Sequence, residues 1–269
     1  KIKQTRTLST TTPKLQNIPI RTEDGKEIRK AIKAQSNEYQ IFSADYSQVE
    51  LRVMAHLSGD ESLISALNNG EDIHTFTAKN IFNVDNDDMV LPEMRRIAKI
   101  VNFGIMYGAG PFRLSQELDI PFGEAKQIKD AYFEKYQGIE QYIENSKLQI
   151  KETKSVETLL GRKRAVWDSD SQNKIRRDAA ERMAINMPIQ GTAAEMIKLA
   201  MIKIHRQINK ENLKSKLIMQ IHDELLLEVH QDEIDYISKM VTEHMRDALK
   251  LDVPIEIDFG VGPSWYEAH

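Results

Sequence analysis

Two aspartates lie where carboxylates can do chemistry. Asp45 ends an alternating run of β-branched and aromatic residues, and Asp223 lies in His222–Glu224, between apolar runs at 217–221 and 225–229. These patterns predict a buried strand ending at Asp45 and a tight hairpin with a polar tip. If the strands are neighbours, the carboxylates converge and need a cation, and Mg²⁺ suits such hard oxygen ligands. Each aspartate alone also fits an ordinary strand-end turn.

A predicted helix from Pro92 carries a second set of chemical groups. Arg95, Lys99, Phe103 and Tyr107 recur every four residues and so form one slowly drifting stripe. The two cations could hold a triphosphate, and the two rings could stack on a base or sugar. The same spacing is also typical of an amphipathic helix with a basic face in solvent.

A third polar line lies on a long predicted helix over 175–209, with a kink expected at Pro188. Arg182, Asn186 and Gln190 recur at four-residue spacing among apolar neighbours. Such a stripe needs partners. Minor-groove base acceptors would suit these donors, and an internal hydrogen-bond network is the alternative.

The elements that must position these groups are strands at both ends of the chain and helices between them. Helical spacing follows at 48–58 and through most of 60–150, and the chain ends with a helix over 232–250 and a strand over 254–259. Residues 1–20 are predicted to be extended or loop-like. This order predicts an α+β fold with a palm-like sheet that carries a helical insertion.

Composition narrows the class of protein. The chain has 269 residues, 41% hydrophobic and 29% charged, which predicts a sizeable core rather than disorder. No apolar run approaches a membrane span, and the absence of cysteine excludes disulfides and thiolate metal sites. Because the chain begins with Lys1 rather than Met, we interpret it as part of a longer protein.

The net charge of −4 conceals a segregated pattern. Residues 1–33 carry nine bases against three acids, 162–182 carry seven against four, and 223–269 carry twelve acids against three bases. This predicts a basic face with carboxylates gathered elsewhere, although ordinary solvated charge is the alternative.

Taken together, these segments resemble the polymerase domain of bacterial DNA polymerase I, in the family A polymerases. The matching segments are, in order, Leu15–Pro19, Asp45–Arg52, Asp72–His74, Arg95–Gly108, Pro188–Ala194 and Ile221–Glu224. The resemblance implies a right-hand fold with an antiparallel palm sheet, flanking helices and inserted helical fingers, without a thumb in this chain. The implied divisions are palm over 1–59, fingers over 60–175 with the nucleotide helix at about 93–107, and palm again over 176–269.

The resemblance also implies a role for each acid. Asp45 and Asp223 would hold two Mg²⁺, for which Mn²⁺ is a possible substitute, with the backbone carbonyl of Tyr46 assisting one ion. Glu224 would support them without being a principal ligand. Lys99 would contact the phosphates and protonate the leaving group.

Further site residues follow from the same resemblance. Those implied for the nucleotide are Arg95 and His74 at the outer phosphates, Phe103 by the sugar, Tyr107 near the templating position, Glu50 blocking a ribose 2′-hydroxyl, and Gln48. Those implied for DNA are Arg182, Asn186, Gln190, His222, Gln16, Asn17 and Arg6. The sequence departs from the family pattern at two positions. Arg6 lies one residue before the register in which the family has an arginine, where this chain has Thr7, and Lys14 stands where relatives usually have asparagine.

The implied function is that of a DNA-directed DNA polymerase in replication and repair. It would add dNMP from dNTP to a primer 3′-hydroxyl by a two-metal mechanism and release pyrophosphate. Its partners would be primer-template DNA and dNTP, with no membrane, and it would act as a monomer in the cytoplasm, at the nucleoid; a phage-infected cell or an organelle is also possible. The alternatives are an inactive DNA-binding remnant and a two-metal nuclease.

Overall fold

The computed structural model describes residue 8, residues 15–18 and residues 22–269, and these form two compact units. Unit 1 takes the described part of Lys1–Val49 with Ala193–Lys250 and Ile255–His269, and unit 2 takes Glu50–Thr192 and Leu251–Pro254. Among the described helices, none is both long and apolar enough to cross a membrane.

The elements alternate as an α+β protein requires. The helices are α1 Glu23–Ala31, α2 Val49–Ser58, α3 Glu61–Asn68, α4 Ile73–Phe82, α5 Pro92–Met106, α6 Pro111–Leu118, α7 Phe122–Lys135, α8 Gln137–Thr153, α9 Lys174–Lys210, α10 Ile234–Arg246 and α11 Trp265–Ala268. The strands are β1 Tyr39–Tyr46, β2 Ser155–Glu157, β3 Lys163–Ala165, β4 Lys216–Ile221, β5 Glu224–His230 and β6 Ile257–Gly262. Short 3₁₀ helices span Leu15–Asn17, Asp87–Met89, Trp167–Asp170 and Gln231–Glu233.

Unit 1 is built on a four-stranded antiparallel sheet in the order β4-β5-β1-β6. The register places Asp45 of β1 opposite Glu224 of β5 on one side and Asp258 of β6 on the other. Directly opposed residues share a face of the sheet, so the acid-bearing face is fixed by strand pairing rather than by neighbours in sequence.

The short helix α11 packs closely against β6. A methyl group on Gly260 would lie 2.4 Å from the carbonyl oxygen of Ala268, and one on Gly262 would lie 2.7 Å from Glu267 Cβ. Only glycine permits this approach. Trp265 is thereby buried in a cluster with Ile41 and other residues of the sheet. The end of the chain is therefore part of the sheet's core.

Unit 2 is largely helical, and its sequence marks where several helices begin. Asp60 and Asp72 cap α3 and α4 by accepting the backbone N–H of Leu63 and Thr75, and Pro92 occupies the first turn of α5. The small sheet of β2 and β3 is also in this unit. It packs through Val156 into an apolar cluster with α8 and α9.

The main elements expected from sequence are confirmed, with shifts at their ends. The strand at 39–45, the helices at 48–58 and 92–107, the hairpin and the α+β class are all present. Glu224 is the first residue of β5 rather than part of the tip, because it pairs with Ile221 and Asp45. The last strand begins at Ile257 rather than at Pro254, and α10 spans Ile234–Arg246 rather than 232–250.

Helix α1 and the β2–β3 hairpin were not predicted from the sequence. Thr22 caps α1 by accepting the Gly25 N–H at 3.2 Å, a local signal that could have been recognised. The strands β2 and β3 have three residues each, too few for an alternating pattern to show. Pro188 lies inside α9, and the kink there stays a prediction.

Candidate functional site

The acid centre of unit 1 forms where β1 ends beside the β4–β5 hairpin. The sequence placed Asp45 and Asp223 together on the condition that their strands are neighbours, and β1 and β5 are adjacent in the sheet. The backbone N–H of Tyr46 donates to the carbonyl oxygen of Asp223 at 3.4 Å. Strand pairing therefore brings two half-buried carboxylates together from positions 178 residues apart in the sequence.

Both carboxylates are difficult to ionise where they lie. Burial, together with the charges of Asp223 and Glu224, raises the pKa of Asp45 to about 7. Burial is also the main cause that raises the pKa of Asp223 above its ordinary value. Like charges in a poorly hydrated site favour protonation unless a cation compensates them.

The donor set fits a magnesium ion. Asp45 Oδ1 is buried and has no hydrogen-bond partner among the described residues, so an acceptor is available where negative charge is concentrated. No group of three or more His, Cys, Asp or Glu side chains in the described ranges is arranged around a metal position. Mg²⁺ commonly takes one or two carboxylates and fills its other positions with water and substrate phosphates. Asp45 and Asp223 match that requirement in number and in type of side chain.

Glu224 is held in a different way from the two aspartates. Its Oε1 accepts from Ser43 Oγ at 2.6 Å and from Trp265 Nε1 at 2.7 Å, and His269 Nδ1 lies 3.3 Å away. Although burial acts in the opposite direction, donation by His269, Ser43 and Trp265 lowers the pKa of Glu224. A carboxylate whose oxygen is already engaged suits a supporting role better than that of a metal ligand.

The backbone beside each aspartate adopts an uncommon conformation. Gln48, three residues after Asp45, has φ of 52°, and His222, immediately before Asp223, has φ of 54°. Both lie in the left-handed region, which costs a residue with a side chain about 1 kcal/mol or more. This conformation sharpens the two turns that follow β1 and β4.

In unit 2 the predicted stripe on α5 is present as one face of the helix. The rings of Phe103 and Tyr107 lie 6.3 Å apart and nearly parallel, and the His74 ring lies 5.7 Å from Phe103. Arg95 and Lys99 are exposed on the same helix. The face therefore presents aromatic surface at one end and cations at the other.

Asp72 orients Arg95, a contact that was not predicted from the sequence. The Asp72 carboxylate accepts hydrogen bonds from Arg95 Nη2 at 2.8 Å and from Arg95 Nε at 3.1 Å. The same carboxylate caps α4, and donation from Arg95 and Thr75 outweighs burial and lowers the pKa of Asp72 to about 2. A fork of this kind fixes the plane of the guanidinium.

His74 is a buried, neutral hydrogen-bonding group. Asn102 Oδ1 accepts from Thr77 Oγ1 at 3.2 Å, which directs the Asn102 amide nitrogen toward His74 Nδ1 at 3.1 Å. His74 Nε2 therefore carries the proton. Burial is the main cause that lowers the pKa of His74 to about 4, and the charges of Arg95 and Lys99 act in the same direction.

Two further predicted positions meet at the end of α5. The Tyr107 hydroxyl donates to the Glu50 carboxylate, and the Asn186 amide nitrogen lies 3.5 Å from the Tyr107 carbonyl oxygen. Asn186 Oδ1 is buried without a hydrogen-bond partner among the described residues. Gly108 has φ of 73°, and a Cβ added to it would lie 3.1 Å from Arg182 Cγ. Of the predicted polar line on α9, Arg182 and Asn186 thus reach this point, and Gln190 is half-buried.

For some of the predicted positions the structure gives no description or only partial information. Arg6 and Lys14 lie outside the described residues, and the side chain of Gln16 is not described. Asn17 is exposed and His222 is exposed at the hairpin tip. Ser43 was missed although strand alternation places it on the same face as Asp45, two residues away.

Comparison with known proteins agrees with this geometry. The family model described as DNA polymerase family A matches residues 1–267. The chain is 49% identical over 265 residues to DNA polymerase I of Bacillus subtilis (strain 168), covering 98% of this chain and 30% of that protein. It is 47% identical over 261 residues to the thermostable DNA polymerase I of Thermus filiformis, covering 97% and 31%. The chain thus spans about a third of the length of these relatives.

A solved structure shows the same fold. The POL domain of Pol1 from M. smegmatis, in complex with DNA primer-template and dNTP, superposes with a TM-score of 0.94 at 45% identity. The match covers 98% of this chain and 46% of that one. The α+β polymerase fold that the motifs implied is confirmed. The chain belongs to DNA polymerase family A.

Proposed function

We propose that this chain supplies the catalytic centre of a DNA-directed DNA polymerase, which adds dNMP from dNTP to a primer 3′-hydroxyl and releases pyrophosphate. The observation that carries the proposal is the half-buried pair of Asp45 and Asp223, whose pKa values are raised and in which Asp45 Oδ1 has no hydrogen-bond partner among the described residues. The M. smegmatis relative is described in complex with primer-template and dNTP, which supports the same substrates here.

Asp45 and Asp223 would hold two Mg²⁺ ions, or Mn²⁺ in their place, with the Tyr46 carbonyl assisting one. When bound, the metal would favour ionisation of the primer hydroxyl and stabilise negative charge on the departing pyrophosphate. Glu224 would keep the acid face of the sheet in place through Ser43 and Trp265, without competing for the metal.

The stripe on α5 would bind the nucleotide. Arg95, oriented by Asp72, would contact the outer phosphates, and Lys99 would contact phosphate and protonate the leaving group. His74 would act as a neutral N–H donor, because its buried ring carries a proton on Nε2 and no net charge at neutral pH. Phe103 would pack beside the sugar, and Gln48 would contribute from the turn after β1.

Glu50 and Tyr107 would select the sugar. Their hydrogen bond fixes a carboxylate that would obstruct and repel a ribose 2′-hydroxyl, which favours dNTP. We expect Glu50→Ala to raise the ratio of rNTP to dNTP incorporation by roughly tenfold or more in single-nucleotide extension. Tyr107→Phe should raise it less, because the glutamate remains, and equal ratios in all three proteins would remove this role.

DNA contacts would come from the polar line on α9 and from the hairpin. Arg182, Asn186, Gln190 and His222 would read minor-groove acceptors, which are common to most base pairs. Gln16, Asn17 and Arg6 would contact the primer from the N-terminal segment. We further propose that residues 60–175 are the fingers and that residues 1–59 and 176–269 are the palm, so that α2 and the first part of α9, which group with unit 2, belong to the palm.

The test is primer extension on a recessed template with Mg²⁺, in the full-length protein and in this chain. Asp223→Ala should abolish templated dNTP addition, and Asp235→Ala, which removes an exposed acid of α10, should not. Normal extension by Asp223→Ala would overturn the proposal. Release of nucleoside monophosphate without added dNTP would instead indicate a nuclease, and DNA binding without either reaction, in the full-length protein, would indicate a binding remnant.

A further inference from the structure

The two tryptophans of the chain lie in opposite environments. Trp265 is fully buried, whereas the Trp167 residue is 75% exposed, one of the most exposed large apolar residues described. The exposed Trp167 ring leaves a large apolar surface in water, and such a surface is a candidate binding site. Ile175 nearby in sequence is 77% exposed. This surface of unit 2 has no role in the function proposed above.

The backbone beneath Trp167 is firmly held. Val166, the preceding residue, is buried in the cluster that joins α8, β2 and α9, and its N–H donates to the Lys154 carbonyl at 2.7 Å. The 3₁₀ turn that begins at Trp167 is closed by Ser171 N–H donating to the Asp168 carbonyl at 3.2 Å. The ring is therefore presented from an ordered support, and binding it would require little ordering of the chain.

Cations flank Trp167 in the sequence. Residues 162–177 contain six bases and two acids. Lys163 Nζ lies 4.0 Å from Glu157 with 74% of its side chain exposed, and Arg176 Nη1 lies 4.0 Å from Asp168 with 68% exposed. Exposed pairs at this distance contribute little. These two cations can therefore turn to an external anion at small cost.

We propose that Trp167 is a stacking platform for an unpaired base of single-stranded DNA, with the cations of 162–177 contacting the flanking phosphates. An exposed aromatic ring in a segment that also carries exposed cations matches a polyanion that exposes flat apolar bases. A duplex keeps its bases stacked inside and offers no such face except at its ends. A protein partner would more commonly meet a patch whose centre is depleted of lysine.

The proposal rests on the proposed function for the source of the single strand, which is the unpaired template. Stacking of a base on an aromatic side chain contributes about 1–3 kcal/mol. Within that range, about 1.4 kcal/mol corresponds to a tenfold change in affinity. The contact would be indifferent to base identity, since every base has a π-face. It would hold the template without selecting sequence.

The first test is a fluorescence titration with oligo(dT) in the absence of dNTP and primer. Because Trp265 is buried and Trp167 exposed, quenching on binding should report Trp167. We expect Trp167→Ala to abolish the quenching and weaken the oligonucleotide about tenfold, measured by anisotropy of a labelled strand. Trp167→Phe should retain most of the affinity, and Ile175→Ala, a matched loss of exposed apolar surface, should leave it unchanged.

Three results would overturn the proposal: no quenching by oligo(dT), equal affinity of Trp167→Ala and the unmodified chain, or an equal loss of affinity for blunt duplex. A second arm compares extension on templates with one and with ten unpaired nucleotides. Trp167→Ala should raise the apparent Kd only for the longer overhang. Since the titration needs no catalysis, a failure of primer extension would leave the stacking result interpretable.

Discussion

The acid centre of unit 1 and the basic stripe of unit 2 handle charge in opposite ways. Asp45 and Asp223 are half-buried like charges whose pKa values are raised. Arg95 is an exposed cation that is already paired with Asp72. The first arrangement is unstable until a cation arrives, whereas the second is satisfied in the free protein and has only to exchange one anion for another. Binding metal should therefore change stability strongly, and binding nucleotide should change it less.

The largest effect is expected from breaking the acid pair. Asp45→Asn should reduce primer extension by roughly 10³-fold or more, because the proposed metal site would lose one of its two carboxylates. In the absence of divalent cations the same change should raise the free energy of unfolding by roughly 2 kcal/mol, because a buried repulsion is removed. Urea denaturation with and without Mg²⁺ measures both the gain and the lost response to metal.

The matched control is Asp258→Asn. Asp258 faces Asp45 across the β1–β6 ladder but is exposed, so removing its charge should change stability by less than about 0.5 kcal/mol. If Asp45→Asn were destabilising without metal, the view of the site as a repelling pair would be wrong.

The second prediction concerns the buried neutral ring in unit 2. The pKa of His74 lies at about 4 in the folded protein, below its ordinary value of 6.5. Between these values the unfolded state binds a proton that the folded state does not, so stability falls as pH is lowered from about 6.5 to about 4. The contribution is on the order of 3 kcal/mol. His74→Gln should remove it, leaving a shallower dependence.

Urea denaturation at several pH values from 4 to 7.5 measures this difference. His205→Gln, which replaces an exposed histidine of α9, should leave the pH dependence as it is in the unmodified chain. An identical slope for His74→Gln and the unmodified chain would contradict the buried neutral state.

The third prediction separates two adjacent arginines of α5. Arg95 is on the stripe and forked to Asp72, whereas Arg96 pairs with Glu93 on the same helix. Arg95→Ala should raise the KM for dNTP roughly tenfold or more, through loss of a charge-assisted contact of about 2 kcal/mol. Arg96→Ala should change it less than twofold. Steady-state single-nucleotide kinetics decide this, and equal effects would mean that position on the stripe is irrelevant.

The smallest effect is expected at the support of Glu224. Trp265→Phe keeps a buried six-membered ring but removes the donor to Glu224 Oε1 and the five-membered ring of a fully buried indole, which should cost about 1–2 kcal/mol of stability. Extension should slow by a few-fold, because Ser43 still donates. Trp167→Phe, at the exposed tryptophan, is the control and should leave thermal unfolding unchanged. A loss of stability in both variants would point to a general effect of removing an indole.

The sequence itself determined the groups that depend on local geometry. Four-residue spacing alone places Arg95, Lys99, Phe103 and Tyr107 on one face of α5, because helical neighbours three and four residues apart are close whatever surrounds them. Alternation likewise identified β1, and the two apolar runs identified the hairpin. The resemblance to family A rested on these same local segments.

Tertiary structure decided everything that depends on pairing between distant segments. The register that places Asp45 beside Glu224, and the close approach of α11 that brings Trp265 to the same carboxylate, join positions about 180 and 40 residues apart. The neutral state of His74 and the exposure of Trp167 depend on burial, which no spacing rule reports. Charge, ionisation and solvent access are properties of the packed molecule, and they decide what the residues can do.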